Sequence, residues 1–150
     1  MEDHATKPDA YQAPTVFVGA FYLLLAAGLV LCVIFLETIF SHSGWSVLFG
    51  LIMLAFIIFY TCYFALAIAY KIEVWDDGRI RLTSFRKTLS TSADGIHYIE
   101  GPYLPFGFVR FRLAREKGYL FAVLKDTGLR KVLSTIKAID PDIKFKHLNI

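Results

Sequence analysis

A chain of 150 residues makes one or two small units, and 56% hydrophobic residues with a positive mean hydropathy exclude an ordinary soluble domain. The formal charge of +3 is unevenly placed: residues 71–150 hold 15 of the 16 Lys and Arg against 9 Asp and Glu, while the apolar excess lies in the first half. There is no Walker A, GxSxG, HExxH or Rossmann glycine pattern, so the sequence offers no catalytic motif to build on.

Residues 1–14 read as an N-terminal tail. Their opening MEDHATKPDA is acidic and carries only Lys7, unlike the basic lead of a signal peptide. Val16 to Leu36 is uncharged over 21 residues, which as a helix is roughly 32 Å long, enough for a hydrocarbon core. Trp45 to Tyr70 is a second uncharged run of 26 residues. The spacing predicts a transmembrane hairpin over 15–70, with spans at about 16–38 and 45–70 joined by SHSG (41–44). Glu37 is expected to reach the interface, and Trp45, Tyr60, Tyr63 and Tyr70 to act as interfacial anchors. Small residues at heptad spacing (Gly19/Ala26, Ala20/Ala27) suit close packing of the two helices. Cys32 and Cys62 fall at different depths of an antiparallel hairpin, which argues against a disulfide between them. The basic residues after the hairpin place both termini in the cytoplasm and the SHSG turn outside.

Residues 71–150 read as a cytoplasmic domain entered with no Gly/Ser/Pro linker. In KIEVWDDGRIRL a three-residue loop Asp76-Asp77-Gly78 pairs Val74 with Ile80 and Ile72 with Leu82 on one apolar face. It sets Glu73 opposite Arg81 and Trp75 opposite Arg79 on the other, and requires Gly78 in the left-handed conformation. A similar loop Glu116-Lys117-Gly118 would pair Phe111 with Val123, Leu113 with Phe121 and Arg112 with Ala122. Between these hairpins KTLST (87–91) and GIHYIEG (95–101) are strand-like, with a bend at Ser92-Ala93-Asp94-Gly95. Six strands with short links and no crossover helix predict an antiparallel sheet. Leu129, Val132, Leu133, Ile136 and Ile139 form the stripe of a last helix, capped by Asp126 or Thr127 and closed by Pro141.

Two basic groups are the candidate contact residues: Arg79, Arg81, Arg86 and Lys87 with Trp75, and Arg110 and Arg112 with Arg115 and Lys117. Near an anionic leaflet each such cation contributes about 1 kcal/mol. A solvated sheet face that also sets topology is the plainer reading. Nucleic acid is not expected, because basic groups tied to a bilayer lack the stacking platform of single-strand binders. His4, His42, His97 and His147 are isolated, so no metal and no cofactor are expected.

The order of KIEVWDDGRIRL, SADGIHYIEG, GFVRFRLAREKGYLFAVL and GLRKVLSTIKAIDP resembles that of the bacterial pleckstrin-homology-like (PH-like) membrane proteins, over roughly residues 60–145. The resemblance implies an α+β membrane protein: a two-helix transmembrane hairpin, then a PH-like antiparallel sheet or partial barrel with one C-terminal helix. Six strands stand here where a full PH fold has seven. The family further implies a non-enzymatic membrane-associated module used for oligomerisation or protein contact. An anchored domain with no chemical constellation is accordingly read as a bacterial inner-membrane scaffold or accessory subunit, touching lipids and other membrane subunits or copies of itself. The alternative is an anionic-lipid sensor working through the juxtamembrane basic residues. Phosphoinositide binding by animal PH domains is not carried over, since function lives in sites rather than folds.

Overall fold

A computed structural model describes residues 8–40, 45–113 and 116–148, with 36–40 and 45–46 as backbone alone. The readings given above to SHSG, His4, His42 and Arg115, and to the side chains of Glu37 and Trp45, lie outside the described residues. The chain divides into two compact units: Pro14–Leu66, and the segments on either side of it.

The first unit is two helices, α1 (Thr15–Phe40) and α2 (Trp45–Ala65). Pro14 starts α1, its carbonyl accepting the Val18 N–H at 3.1 Å, and its fixed φ suits a helix start. Both helices are long and apolar enough to cross a membrane. They are apolar all round, with Leu23 70%, Phe35 66% and Phe59 65% exposed, so lipid or another protein must cover them. Their own seam is marked by half-buried positions every three or four residues: Tyr22, Leu25, Leu29 and Cys32 in α1, and Leu51, Leu54, Ile58 and Cys62 in α2. The Tyr22 hydroxyl donates to the Ala65 carbonyl at 2.9 Å, tying the start of α1 to the end of α2. The small residues expected in this seam face away from it. A Cβ on Gly19 would meet nothing within 4 Å, and Ala20, Ala26 and Ala27 are exposed. The bulky seam residues already fill the contact, so no close backbone approach is needed.

The uncharged run to Tyr70 is helical only to Ala65. Ala69 and Tyr70 already belong to a strand, a distinction that hydrophobicity alone does not carry. Among the described residues the second unit holds eight strands: β1 (Asp9–Gln12), β2 (Ala69–Val74), β3 (Arg79–Ser84), β4 (Thr88–Ser92), β5 (Ile96–Glu100), β6 (Phe106–Leu113), β7 (Lys117–Val123) and β8 (Lys144–Lys146). Helix α3 (Thr127–Ile139) lies between β7 and β8. The six expected strands are β2 to β7. Two more, β1 and β8, are added from segments read as tail and as post-helix chain.

The strand order is β4-β3-β2-β7-β6-β5-β8, with β1 also paired to β2. The sheet is mixed and open, which corrects the antiparallel partial barrel. β2 meets β7 in parallel at Ala69–Leu120, and β5 meets β8 in parallel at Tyr98–Lys144 to Glu100–Lys146. These neighbours are far apart in sequence, so the short links between consecutive strands said nothing about them.

The β2–β3 hairpin has the register derived from its apolar face: Ile72–Leu82, Glu73–Arg81 and Val74–Ile80. Gly78 sits at φ 82°, and its N–H closes the turn onto the Trp75 carbonyl at 2.9 Å. The β6–β7 hairpin does not follow the three-residue loop. Phe111 pairs with Gly118, Arg112 with Lys117 and Phe108 with Phe121. The reason lies in packing. A Cβ at residue 118 would stand 2.9 Å from Leu82 Cδ1, so Gly118 belongs on the core face beneath Leu82 rather than in a turn.

Ile72, Val74, Ile80, Leu82, Val109, Phe111 and Leu120 are buried together with Leu129, Val132, Leu133 and Ile136 of α3. The amphipathic helix covers the sheet's apolar face, as its stripe required. Asp126 caps it, its carboxylate accepting from Gly128 N–H at 2.8 Å and Leu129 N–H at 3.2 Å. Asp126→Ala is expected to cost about 1 kcal/mol of unfolding free energy. Gly118→Val is expected to cost about 2 kcal/mol by overpacking against Leu82. Denaturant titration of the detergent-solubilised chain measures both.

Candidate contact surface

Period-two alternation decides what the sheet shows outward. Since Ile72, Val74, Ile80 and Leu82 point to the core, Trp75, Arg79 and Arg81 share the opposite face. Trp75 N–H donates to the Arg79 carbonyl at 2.9 Å, so these residues are cross-strand neighbours. The Arg79 guanidinium lies 5.6 Å and the Arg81 guanidinium 5.3 Å from the Trp75 ring centroid, a cation–π arrangement on both. Arg79 is also held by Asp77 at 2.5 Å. The Asp77 carboxyl accepts the Arg79 backbone N–H, which with the guanidinium keeps it below the usual carboxylate range. Glu73 stands opposite Arg81 but pairs with Lys71 at 2.8 Å, which leaves Arg81 to the tryptophan.

The second group depends on a bulge. In β5, Ile96 faces Leu113 and Tyr98 faces Arg112, so His97 is an extra residue against β6. Simple alternation would put Tyr98 inside with Ile96. The bulge instead turns Tyr98 outward and lets Ile99 take the next buried position. Tyr98 thereby meets both arginines. Arg110 Nη2 donates to its hydroxyl at 2.7 Å and Arg112 Nη1 at 3.3 Å, with the guanidinium groups 5.7 and 5.5 Å from the ring centroid. Glu100, opposite Arg110, is 3.4 Å from both Arg110 and Lys146, tying β8 to this group. The Arg112 hydrogen bond and the two positive charges hold the Tyr98 phenol below the usual tyrosine range.

The candidate residues lie in two groups on the sheet. Trp75, Arg79 and Arg81 lie on β2–β3; Arg110 and Arg112 gather on β5–β6 around Tyr98, which sequence reasoning did not single out. β7 stands between β2 and β6 in the strand order. Arg86 and Lys87 belong to the β3–β4 turn, where Lys87 forms an ion pair with Glu116 of the β6–β7 turn. Lys117 lies opposite Arg112 at the start of β7 and is exposed. His97 and His147 are exposed, and among the described residues no three His, Cys, Asp or Glu side chains are grouped to hold a metal.

A further set was missed because it begins in the segment read as a tail. β1 pairs antiparallel with β2 from Asp9–Val74 to Gln12–Lys71, and Ala13 N–H donates to the Tyr70 carbonyl at 2.8 Å. Tyr11 is only 2% exposed, and its hydroxyl accepts the Val123 N–H at 3.2 Å. Burial raises the Tyr11 phenol above the usual range. Asp9 meets Lys131 of α3 at 2.6 Å and accepts from the Thr135 hydroxyl at 2.8 Å. One short strand is thus fastened to β2, β7 and α3.

No protein-family model, curated protein or solved structure matches the chain. The structure itself shows an α+β domain with an open mixed sheet and two apolar helices long enough to span a membrane.

Two titrations follow. Hydrogen bonds from Lys131 and Thr135 lower the Asp9 carboxyl below its ordinary range. Its contribution to stability is therefore present at neutral pH and lost as pH falls below the ordinary aspartate range. Asp9→Asn should cost about 0.5 kcal/mol at neutral pH, since the pair is partly solvated, and nothing in acid. Unfolding of both forms across pH checks this. In carbon-13 tyrosine spectra, one resonance should titrate early. Arg112→Ala should move that resonance back up, and Tyr98→Phe should remove it.

Proposed function

We propose that this chain is a non-enzymatic scaffold or accessory subunit of the bacterial inner membrane, a PH-like domain on a transmembrane hairpin that works through protein contacts. The observation that carries this reading is where the helices are inserted. The chain leaves the sheet after β1 and returns in β2, and these two strands are hydrogen-bonded to each other. If both helices cross the bilayer, the domain lies wholly on the side where they begin and end. The excess of basic residues in 71–150 supports the cytoplasm as that side. The connectors, 13–14 and 66–68, are short, and two attachments restrict a domain more than one flexible tether. The outer face of the domain carries two organised cation–aromatic groups.

Native-mass measurement of the full chain, extracted in mild detergent, tests the proposal. The expected result is an assembly, either of copies or with another membrane protein. A monomer without a partner would overturn the reading. Reporters fused to either terminus should be active only in the cytoplasm.

A second reading is contact with anionic lipid, supported by Arg79 and Arg81 flanking Trp75 on an exposed face. In a Trp45→Phe chain placed in anionic bilayers, Trp75 emission should shift to the blue. The shift should be reversed by salt and by Arg79→Ala with Arg81→Ala. Equal emission in neutral bilayers would count against it.

A further inference from the structure

The strand path from β4 to β8 has two ends, and they are built differently. At one end β8 is three residues long, Lys144-Phe145-Lys146, short and doubly charged. Short length and lysines are how natural sheets blunt an edge against pairing. At the other end β4, Thr88-Leu89-Ser90-Thr91-Ser92, is five residues with no charge and no proline. Its pairing with β3 runs without a bulge from Arg79–Ser92 to Thr83–Thr88. Among the described residues β4 has no strand neighbour other than β3.

The ladder fixes which of its backbone groups point outward. Ser84 N–H donates to Lys87 O at 2.9 Å, and Ala93 N–H donates to Gly78 O at 2.8 Å. Residues 87, 89, 91 and 93 are therefore the ones bonded to β3. By the antiparallel alternation, Thr88, Ser90 and Ser92 turn both N–H and C=O outward, the Ser92 carbonyl also accepting the Thr91 hydroxyl at 3.4 Å.

We propose that β4 is a self-association edge, on which β4 of a second copy of this chain adds antiparallel and joins two sheets into one. This names the partner and the surface of the protein-contact function proposed above, and rests on that reading. The register follows from the geometry. Pairing Ser90 with Ser90 of the second copy sets Thr88 opposite Ser92 on both sides of a two-fold axis. All outward residues of both strands are then used, giving about six N–H···O bonds. A shift in either direction leaves outward groups unpaired.

Charge favours the same arrangement. Arg86 and Lys87 precede β4 and Asp94 follows it, so antiparallel pairing brings the basic end of one strand beside the acidic end of the other. Parallel addition would set like charges together. The two-fold also preserves the faces. Leu89, whose Cδ2 lies 3.6 Å from where a Gly118 Cβ would be, stays on the core side opposite Thr91 of the second copy. The Trp75, Arg79 and Arg81 groups of both copies then share one outer face.

Cysteine cross-linking in membranes tests this with the full chain, in a background carrying Cys32→Ala and Cys62→Ala. In the proposed register the two residues 90 stand about 5.5 Å apart at Cα, within disulfide range. Ser90→Cys should therefore give a disulfide dimer under mild oxidation. The two residues 92 stand roughly 14 Å apart, so Ser92→Cys should not. Thr88→Cys and Ser92→Cys chains should cross-link only when expressed together. Ser90→Pro removes an outward N–H and no bond to β3, so it should halve the native mass with the circular dichroism unchanged. The edge proposal is overturned if Ser90→Cys cross-links no better than Ser92→Cys, or if Ser90→Pro keeps the parent mass. If either occurs while the chain still runs in an assembly, only the edge fails. A parent chain that runs as a lone monomer removes the protein-contact reading as well.

Discussion

The pairing of β1 with β2 is the constraint on which the rest depends. It brackets the two apolar helices, so the sheet is completed only when the chain has gone out through α1 and come back through α2. Tyr11 is buried against this joint and takes the Val123 N–H, while Asp9 reaches α3 through Lys131 and Thr135. A residue as large as tyrosine at 2% exposure is a core residue, not an ornament of a tail. The N-terminal strand therefore holds the sheet and the helix together, and the helical hairpin is an insertion within the domain rather than an anchor placed before it.

The outer face is organised by two local devices with different physics. In the β2–β3 hairpin the apolar pairs set the register, and the register sets two arginines against Trp75. In β5 the extra residue His97 breaks alternation and swings Tyr98 from the inside to the outside, where Arg110 and Arg112 converge on it. Both devices hold long cationic side chains against an aromatic ring. Cation–aromatic pairs of this kind hold charge in place without burying it.

Much of this was legible in the sequence where one physical rule dominated. Only one apolar register exists for KIEVWDDGRIRL, and the stripe from Leu129 to Ile136 with Asp126 before it leaves little choice for α3. The register of the β6–β7 hairpin is not legible, because both YLFAVL and FVRFRL carry large apolar residues on each face and alternation does not choose between registers. The deciding contact, Gly118 under Leu82, is tertiary. β1 and β8 are too short for any period to show, and β1 carries a single large apolar residue, Tyr11. The Tyr98 group depended on a bulge, which follows from how β5 and β6 fit and not from the residues of either alone. The parallel contacts β2–β7 and β5–β8 are likewise properties of the assembled sheet.

Amide hydrogen exchange of the full chain in lipid nanodiscs reads the pairing of β1 with β2. If β1 completes the domain from the far side of the hairpin, the Tyr11 and Ala13 amides exchange as slowly as those of β2. If those amides exchange at the rate of an exposed tail while β2 and β3 stay protected, β1 does not complete the sheet and the hairpin is a simple N-terminal anchor.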